Sequence, residues 1–197
     1  MTGSIAAGKS TALAALERLG AAGLSADSVV HELYETEAVK TALRLRWGDS
    51  VFCESSEGDR ERDRVDRQAV AKLVFNSDDQ RMWLQGLLWP LTAQHTEAFR
   101  REISQRTPPP RAGVVETPLL FEARSEGRFD ATIAIVAPDE IRAQRLAIRD
   151  QAELAARERA QLSQEEKAGR ATFKIINDGT VEELEHKLAE ILDSLAG

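Results

Sequence analysis

The chain has 197 residues, 42% of them hydrophobic, which is enough for one sizeable core and too few for two ordinary independent domains. Its 26 Lys and Arg against 33 Asp and Glu give a formal charge of −7, which argues against an electrostatic grip on nucleic acid or anionic lipid, so any anion site is local. The single cysteine, Cys53, excludes an internal disulfide, and no Cys/His cluster has zinc-ligand spacing, so a reducing, cytoplasmic setting is expected.

In chain order, the first element is a motif. Gly3, four residues, then Gly8, Lys9 and Ser10 match G-x-x-x-x-G-K-[ST], the phosphate-binding loop. Its glycines permit a tight turn, successive N–H groups converge on phosphate oxygens, and the following helix adds the partial positive charge of its N-terminus. Gly3, Ala6, Ala7, Gly8, Lys9, Ser10 and Thr11 are therefore candidate nucleotide contacts, with Lys9 reaching the β- and γ-phosphates and the Ser10 hydroxyl on Mg²⁺. The bland alternative is a flexible glycine-containing terminus before a helix. Leu13, Leu16 and Leu19 recur at helical spacing, which predicts a helix over Lys9 to Leu19 closed by Gly20.

A short run from Gly23 to Ala26 reads as a strand, and the carboxyl ends of parallel strands face the ligand crevice. Asp27 then has two readings: a base for phosphoryl transfer, or the N-cap of a helix beginning near Ser28. From about 28 to 106 the periodicity is helical, broken by Gly48 and by charged residues around 54 to 66, and Pro90 suits the first position of a last long helix. Trp47, Trp83 and Trp89 are expected to pack inside this helical insertion. His31, His95 and His186 have no partner spacing for metal or triad chemistry.

After the prolines 108 to 110, Gly113–Thr117 and Ala131–Val136 are apolar, β-branched runs of the kind that form buried parallel strands, and Pro138 opens a helix. Arg145 and Arg149 lie one turn apart there, so two guanidinium forks are available for phosphates, against the alternative of a solvated basic face. Residues 152–170 are polar and helix-forming, with Ser163 and Glu166 spaced as a capping box, which predicts a lid closing over nucleotide. Phe173 to Ile176 reads as a further strand. Thr180 and Glu183 repeat the capping-box spacing before an amphipathic helix carrying Val181, Leu184, Leu188, Ile191 and Leu195. The alternation predicts an α/β fold with a parallel sheet flanked by helices.

Read together, these strings resemble the dephospho-CoA kinase family over nearly the whole chain. The residues that carry the resemblance are Thr2 to Ser10, Ser25-Ala26-Asp27, Val65-Asp66-Arg67, Trp89-Pro90-Leu91, Glu116 to Glu122, Arg145 with Arg149-Asp150, and Ala171 to Gly179. The Pro118-Leu119-Leu120-Phe121-Glu122 string, in order with the loop and Asn177, separates this family from other small-molecule kinases.

The resemblance implies ATP-dependent phosphorylation of the ribose 3′-hydroxyl of dephospho-CoA, with ATP and Mg²⁺ as cofactors. It implies Asp27 as base with Lys9 and Arg149 as catalytic partners, Arg145 and Asn177 at the nucleotide, and Asp27, Arg67, Leu119 and Phe121 at the acceptor. Residues 1–27, 108–150 and 171–197 would form the nucleotide-binding core, 28–107 a helical acceptor domain, and 151–170 the lid. A cytoplasmic monomer or weak homo-oligomer with no nucleic-acid or membrane partner is expected. Other readings are a family member that binds ATP without turnover, or a different phosphate-loop kinase.

The chain also departs from the family pattern. Only Met1 precedes Thr2, so the first strand is expected to be missing, as an internal methionine taken as the start or a truncated chain would explain. Ser25 replaces the first carboxylate of D-A-D, Glu116 lengthens an aspartate, Thr172 replaces another, and alanine stands at loop positions where positive φ would strain it.

Overall fold

Apolar runs too short for helices and without a polar alternate face are buried on both sides, and Gly113–Glu116 and Ile133–Val136 condense here into parallel strands, while Phe173–Ile176 joins them with Lys174 and Ile176 exposed. The computed structural model describes residues 1–53, 63–146 and 161–195. The strands are β1 (Thr2–Gly3), β2 (Ala22–Ser25), β3 (Gly113–Glu116), β4 (Ile133–Val136) and β5 (Phe173–Ile176). β1 pairs with β4, β4 with β5, and β2 with β3, each in parallel.

The first strand is therefore present, as two residues set opposite Ala134 and Ile135. Met1 joins the two ladders. Its nitrogen donates to the Val115 carbonyl at 2.7 Å, and its carbonyl accepts from the Thr117 N–H at 2.9 Å, the pair of bonds that a parallel neighbour makes. The strand order across the molecule is thus β2-β3-β1-β4-β5, with β1 central. At Gly3 a β-carbon would collide with the Ile135 carbonyl oxygen, so the close approach of β1 to β4 requires glycine.

Helices α1 (Lys9–Arg18) and α8 (Val181–Leu195) cover this sheet. α1 buries Ala12, Ala15 and Leu16, and its two alanines let α8 come close with Leu184, Leu188, Ile191 and Leu192. Leu16, Ile135 and Leu188 have no exposed surface. Gly20 ends α1 at φ 92°, donating to the Glu17 carbonyl while Ala21 donates to that of Leu16, so the last carbonyls are satisfied in a left-handed cap. The Thr180–Glu183 capping box opens α8, with both reciprocal bonds formed, at 2.9 and 3.2 Å. Between β4 and β5 lie α6 (Asp139–Leu146) and α7 (Gln164–Arg170), the latter opened by the Ser163–Glu166 capping box.

By its contacts the chain divides into one unit of Met1–Ala26 with the residues from Phe99 onward, and another of Asp27–Ala98. The second unit contains α2 (Ala26–Leu33) from its second residue, α3 (Glu37–Trp47), α4 (Arg67–Phe75) and most of α5 (Asp78–Ser104). Trp47 meets Trp83 edge-on at 4.9 Å and donates its indole N–H to Gln80 at 2.8 Å. Lys40, nearly buried, donates to Asp63 at 3.0 Å, and that bond holds the Asp63 carboxyl below its usual range.

Two readings of this unit are corrected. Pro90 lies inside α5 and does not begin it. A proline in a helix leaves the carbonyl four residues earlier without its donor, but it does not stop a helix that is anchored on both sides. Here Leu84 and Leu88 are buried before it, and the Thr92 and Thr96 hydroxyls donate back to the Leu88 and Thr92 carbonyls after it. Trp89 is 37% exposed and does not pack like Trp47 and Trp83. Among the described residues no helix is long and apolar enough to cross a membrane.

If α8 packs as described, Leu188→Ala should lower the free energy of unfolding by about 2 to 5 kcal/mol and Thr180→Ala by about 1, both read from urea denaturation. A loss below about 1 kcal/mol for Leu188→Ala would contradict full burial.

Candidate nucleotide-binding site

The loop between β1 and α1 is shaped by where its carbonyls go. Arg142 Nε donates to the Ile5 carbonyl at 3.1 Å, Arg145 to that of Ala6 at 3.1 Å, and the Asn177 amide to that of Ala7 at 2.8 Å. In a trans peptide the carbonyl and the next N–H point in opposite directions. Drawing these successive carbonyls toward α6 and the end of β5 therefore turns the N–H groups of Ala6 and Gly8 the other way, beside the N–H end of α1, whose first turn has no helical acceptors of its own. The Ala7 N–H is taken by Ser4 in a turn at 3.2 Å. The arrangement is a concavity of amide dipoles of the kind that holds phosphate.

Gly8 precedes α1 at φ 97°, and the Asn177 side chain occupies the space a β-carbon would need. Ala6 has φ 60°, a left-handed conformation costly for alanine, and it is fixed there by the arginine on its carbonyl. Lys9 is half-buried and donates to the Ser4 carbonyl at 3.2 Å. Ser10 and Thr11 are exposed on the first turn of α1.

At the carboxyl ends of β2 and β3, Ser25 sits opposite Glu116 in register, and its hydroxyl donates to the Glu116 carboxylate at 2.9 Å. Two departures from the family pattern are thus partners of each other. Asp27 is the second residue of α2, inside the helix and not its cap, which corrects the capping alternative. Its side chain is exposed, and among the described residues it has no hydrogen-bond or ion-pair partner.

The turn after β3 carries Pro118 to Glu122. Leu119 is half-buried, whereas Leu120 and Phe121 are 0% and 2% exposed, so Phe121 supports the turn and offers no surface to a ligand in this structure. Arg67 is exposed at the start of α4, where Asp66 caps the helix through the N–H groups of Gln68 and Ala69. Arg149 and residues 151–160 of the expected lid lie outside the described residues. Gln164 anchors the described remainder by bonding both the N–H and the carbonyl of Ala137, at 3.0 and 3.1 Å.

Sequence reasoning missed Arg142 and Lys167. Arg142 is 9% exposed and also bonds Asp139 at 2.9 Å; its place three residues before Arg145, on the same helical face, was the available signal. Lys167 is fully buried, and burial pushes its ammonium below the usual range while the Glu122 carboxylate opposes the shift. Nothing in the polar 152–170 stretch marked it as buried. Among the described residues no group of His, Cys, Asp and Glu is placed to hold a metal ion on its own.

A parallel sheet ordered β2-β3-β1-β4-β5, with G-x-x-x-x-G-K-S joining its central strand to the first helix, defines a phosphate-loop nucleotide-binding protein. The family model described as dephospho-CoA kinase matches residues 1–183, and the chain belongs to that family. The dephospho-CoA kinase of Brucella melitensis is 31% identical over 200 aligned residues, covering 100% of this chain and 94% of the relative. That of Thermus thermophilus is 34% identical, covering 100% and 91%. A crystal structure from Thermus thermophilus superposes with a TM-score of 0.77 at 34% identity, covering 100% of this chain and 96% of the other. The dephospho-CoA kinase structure from Campylobacter jejuni, at 23% identity and a TM-score of 0.65, shares the fold over 99% of this chain and 94% of its own.

The loop geometry separates two adjacent alanines. Ala6→Gly should raise stability by up to about 1 kcal/mol, because glycine adopts positive φ without strain, whereas Ala7→Gly should lower it by roughly as much. Denaturation midpoints that move in the same direction would contradict the left-handed conformation of Ala6.

Proposed function

We propose that the chain transfers the γ-phosphoryl group of ATP to the ribose 3′-hydroxyl of dephospho-CoA, releasing coenzyme A and ADP. The observation that carries this reading is the loop whose carbonyls are held by Arg142, Arg145 and Asn177, leaving N–H dipoles to converge where an anion would sit. An acidic chain gains nothing from such a concentration of donors without a phosphate to bind.

In this mechanism the loop amides hold the β- and γ-phosphates, and Lys9 exchanges its bond to Ser4 for the phosphate oxygens. The Ser10 hydroxyl, an exposed hard oxygen, suits Mg²⁺, which would supply further neutralisation of phosphate charge. Asp27 takes the proton of the ribose hydroxyl as its oxygen bonds to γ-phosphorus and the bond to the β–γ bridging oxygen breaks, leaving ADP. Arg149 stabilises the charge that develops on the transferring group, and Arg145 and Asn177 border the nucleotide. Arg67 and Leu119 serve the acceptor, within a helical domain over about 28–107 and the turn after β3. The reaction needs no membrane, and a cytoplasmic monomer or weak oligomer suits it.

Formation of ADP that depends on dephospho-CoA tests the reading; ATP binding without turnover would instead favour a binding module. Lys9→Ala should lower turnover by about 10²-fold or more with little change in melting temperature, since the residue is a point charge in a loop.

Asp27→Asn separates a base from a mere surface carboxylate. Asparagine is tolerated in a first helical turn at a cost of a few tenths of a kcal/mol, but it cannot accept the hydroxyl proton. Turnover should fall by roughly 10²- to 10⁴-fold with the KM for ATP unchanged. Turnover within about threefold of the parent would remove Asp27 from the mechanism.

A further inference from the structure

The fully buried Lys167 has no part in the mechanism above, and its surroundings give it one. Its ammonium donates to the Pro118 carbonyl at 2.7 Å and to Gln161 Oε1 at 3.0 Å, and it lies 3.2 Å from Glu122 Oε1. Three N–H donors thus meet three acceptors, which is what a buried ammonium requires. Glu122 Oε1 also accepts the Leu162 N–H at 2.8 Å. A core needs no ion pair for stability alone, since apolar residues of similar volume generally do as well or better. What the pair adds is position. Pro118 and Glu122 are the two ends of the turn that carries Leu119, and one ammonium draws both ends to a single centre.

The same Pro118 carbonyl accepts a second bond, from the Thr2 hydroxyl at 3.3 Å. Thr2 is buried in β1 and adjoins Gly3, the first residue of the phosphate loop. One carbonyl oxygen therefore links the strand that feeds the phosphate loop to the turn after β3, with Lys167 on its other side.

We propose that Lys167 and Thr2 are positioning residues for the transfer: by sharing the Pro118 carbonyl they fix the Leu119 turn in register with the phosphate loop, so that acceptor and γ-phosphate are presented to each other correctly. The proposal rests on the reading of Leu119 as an acceptor contact. A displaced turn would leave ATP binding intact and penalise the acceptor, since misplacement of about 1 Å can cost on the order of 10²-fold in rate.

The test compares Lys167→Met, the double variant Lys167→Met with Glu122→Gln, Thr2→Val and Leu119→Ala, each assayed for thermal stability, kcat and the KM of both substrates. Lys167→Met alone takes the ammonium partner from the half-buried Glu122 carboxylate, so it should be markedly destabilised. The double variant removes both charges and should recover most of the melting temperature. If Lys167 positions the turn, kcat/KM for dephospho-CoA in the double variant stays about tenfold to a hundredfold below the parent while the KM for ATP is unchanged.

Recovery of kcat/KM together with stability would overturn the proposal, leaving Lys167 a structural residue only. Should the double variant fail to fold, Thr2→Val decides, because it removes the other bond to the same carbonyl at nearly constant volume. It should raise the KM for dephospho-CoA by about threefold or more, and an unchanged value would overturn the proposal. Leu119→Ala distinguishes failure of the underlying reading: if it leaves the KM for dephospho-CoA within about threefold of the parent, the acceptor assignment fails whatever the other variants do.

Discussion

A loop that binds phosphate through its backbone must dispose of its own carbonyls. Every peptide that offers an N–H to an anion carries an oxygen of opposite polarity, and an oxygen left near the site would repel the ligand or cost a lost hydrogen bond. Here the oxygens of Ile5, Ala6 and Ala7 are drawn outward by Arg142, Arg145 and Asn177, so the loop is kept in its binding form by residues far along the chain. Much of the architecture serves that arrangement. β4 and α6 bring the arginines, β5 ends where Asn177 must stand, and α8 closes the back of the sheet over Leu16 and Ile135.

The same requirement shows in how β1 is held. β1 has two residues, but Gly3 approaches β4 closely, Met1 bonds β3 on the other side, and Thr2 reaches Pro118. The loop that follows is therefore gripped from both neighbouring strands before it turns into α1.

What could be read from the residues was local chemistry. The G-x-x-x-x-G-K-S spacing, both capping boxes, the Gly20 stop and the centre of the α8 stripe depend on neighbours a few positions apart and form as their patterns require, whereas Val181 and Leu195 at the two ends of that stripe are exposed. What could not be read depends on distant partners. The carbonyl grip of Arg142 spans 137 positions, and Ser25 and Glu116 looked like separate departures because only strand register puts them side by side. Lys167 sits in a sequence of polar helix formers, so its burial is decided wholly by the turn it packs against. Pro90 misled for the opposite reason, since a local stop signal is overridden when flanking turns are packed.

The Ser25–Glu116 pair has a consequence for how this chain can change. A carboxylate at position 25 would stand beside that of Glu116 on the adjacent strand and would take away the hydroxyl donor that Glu116 now has. A hydroxyl at position 25 with the longer acid at 116 gives one charge and one donated hydrogen bond. The two positions are therefore coupled: removing the hydroxyl at 25 and shortening the acid at 116 each break the same hydrogen bond, so their effects on stability should not add.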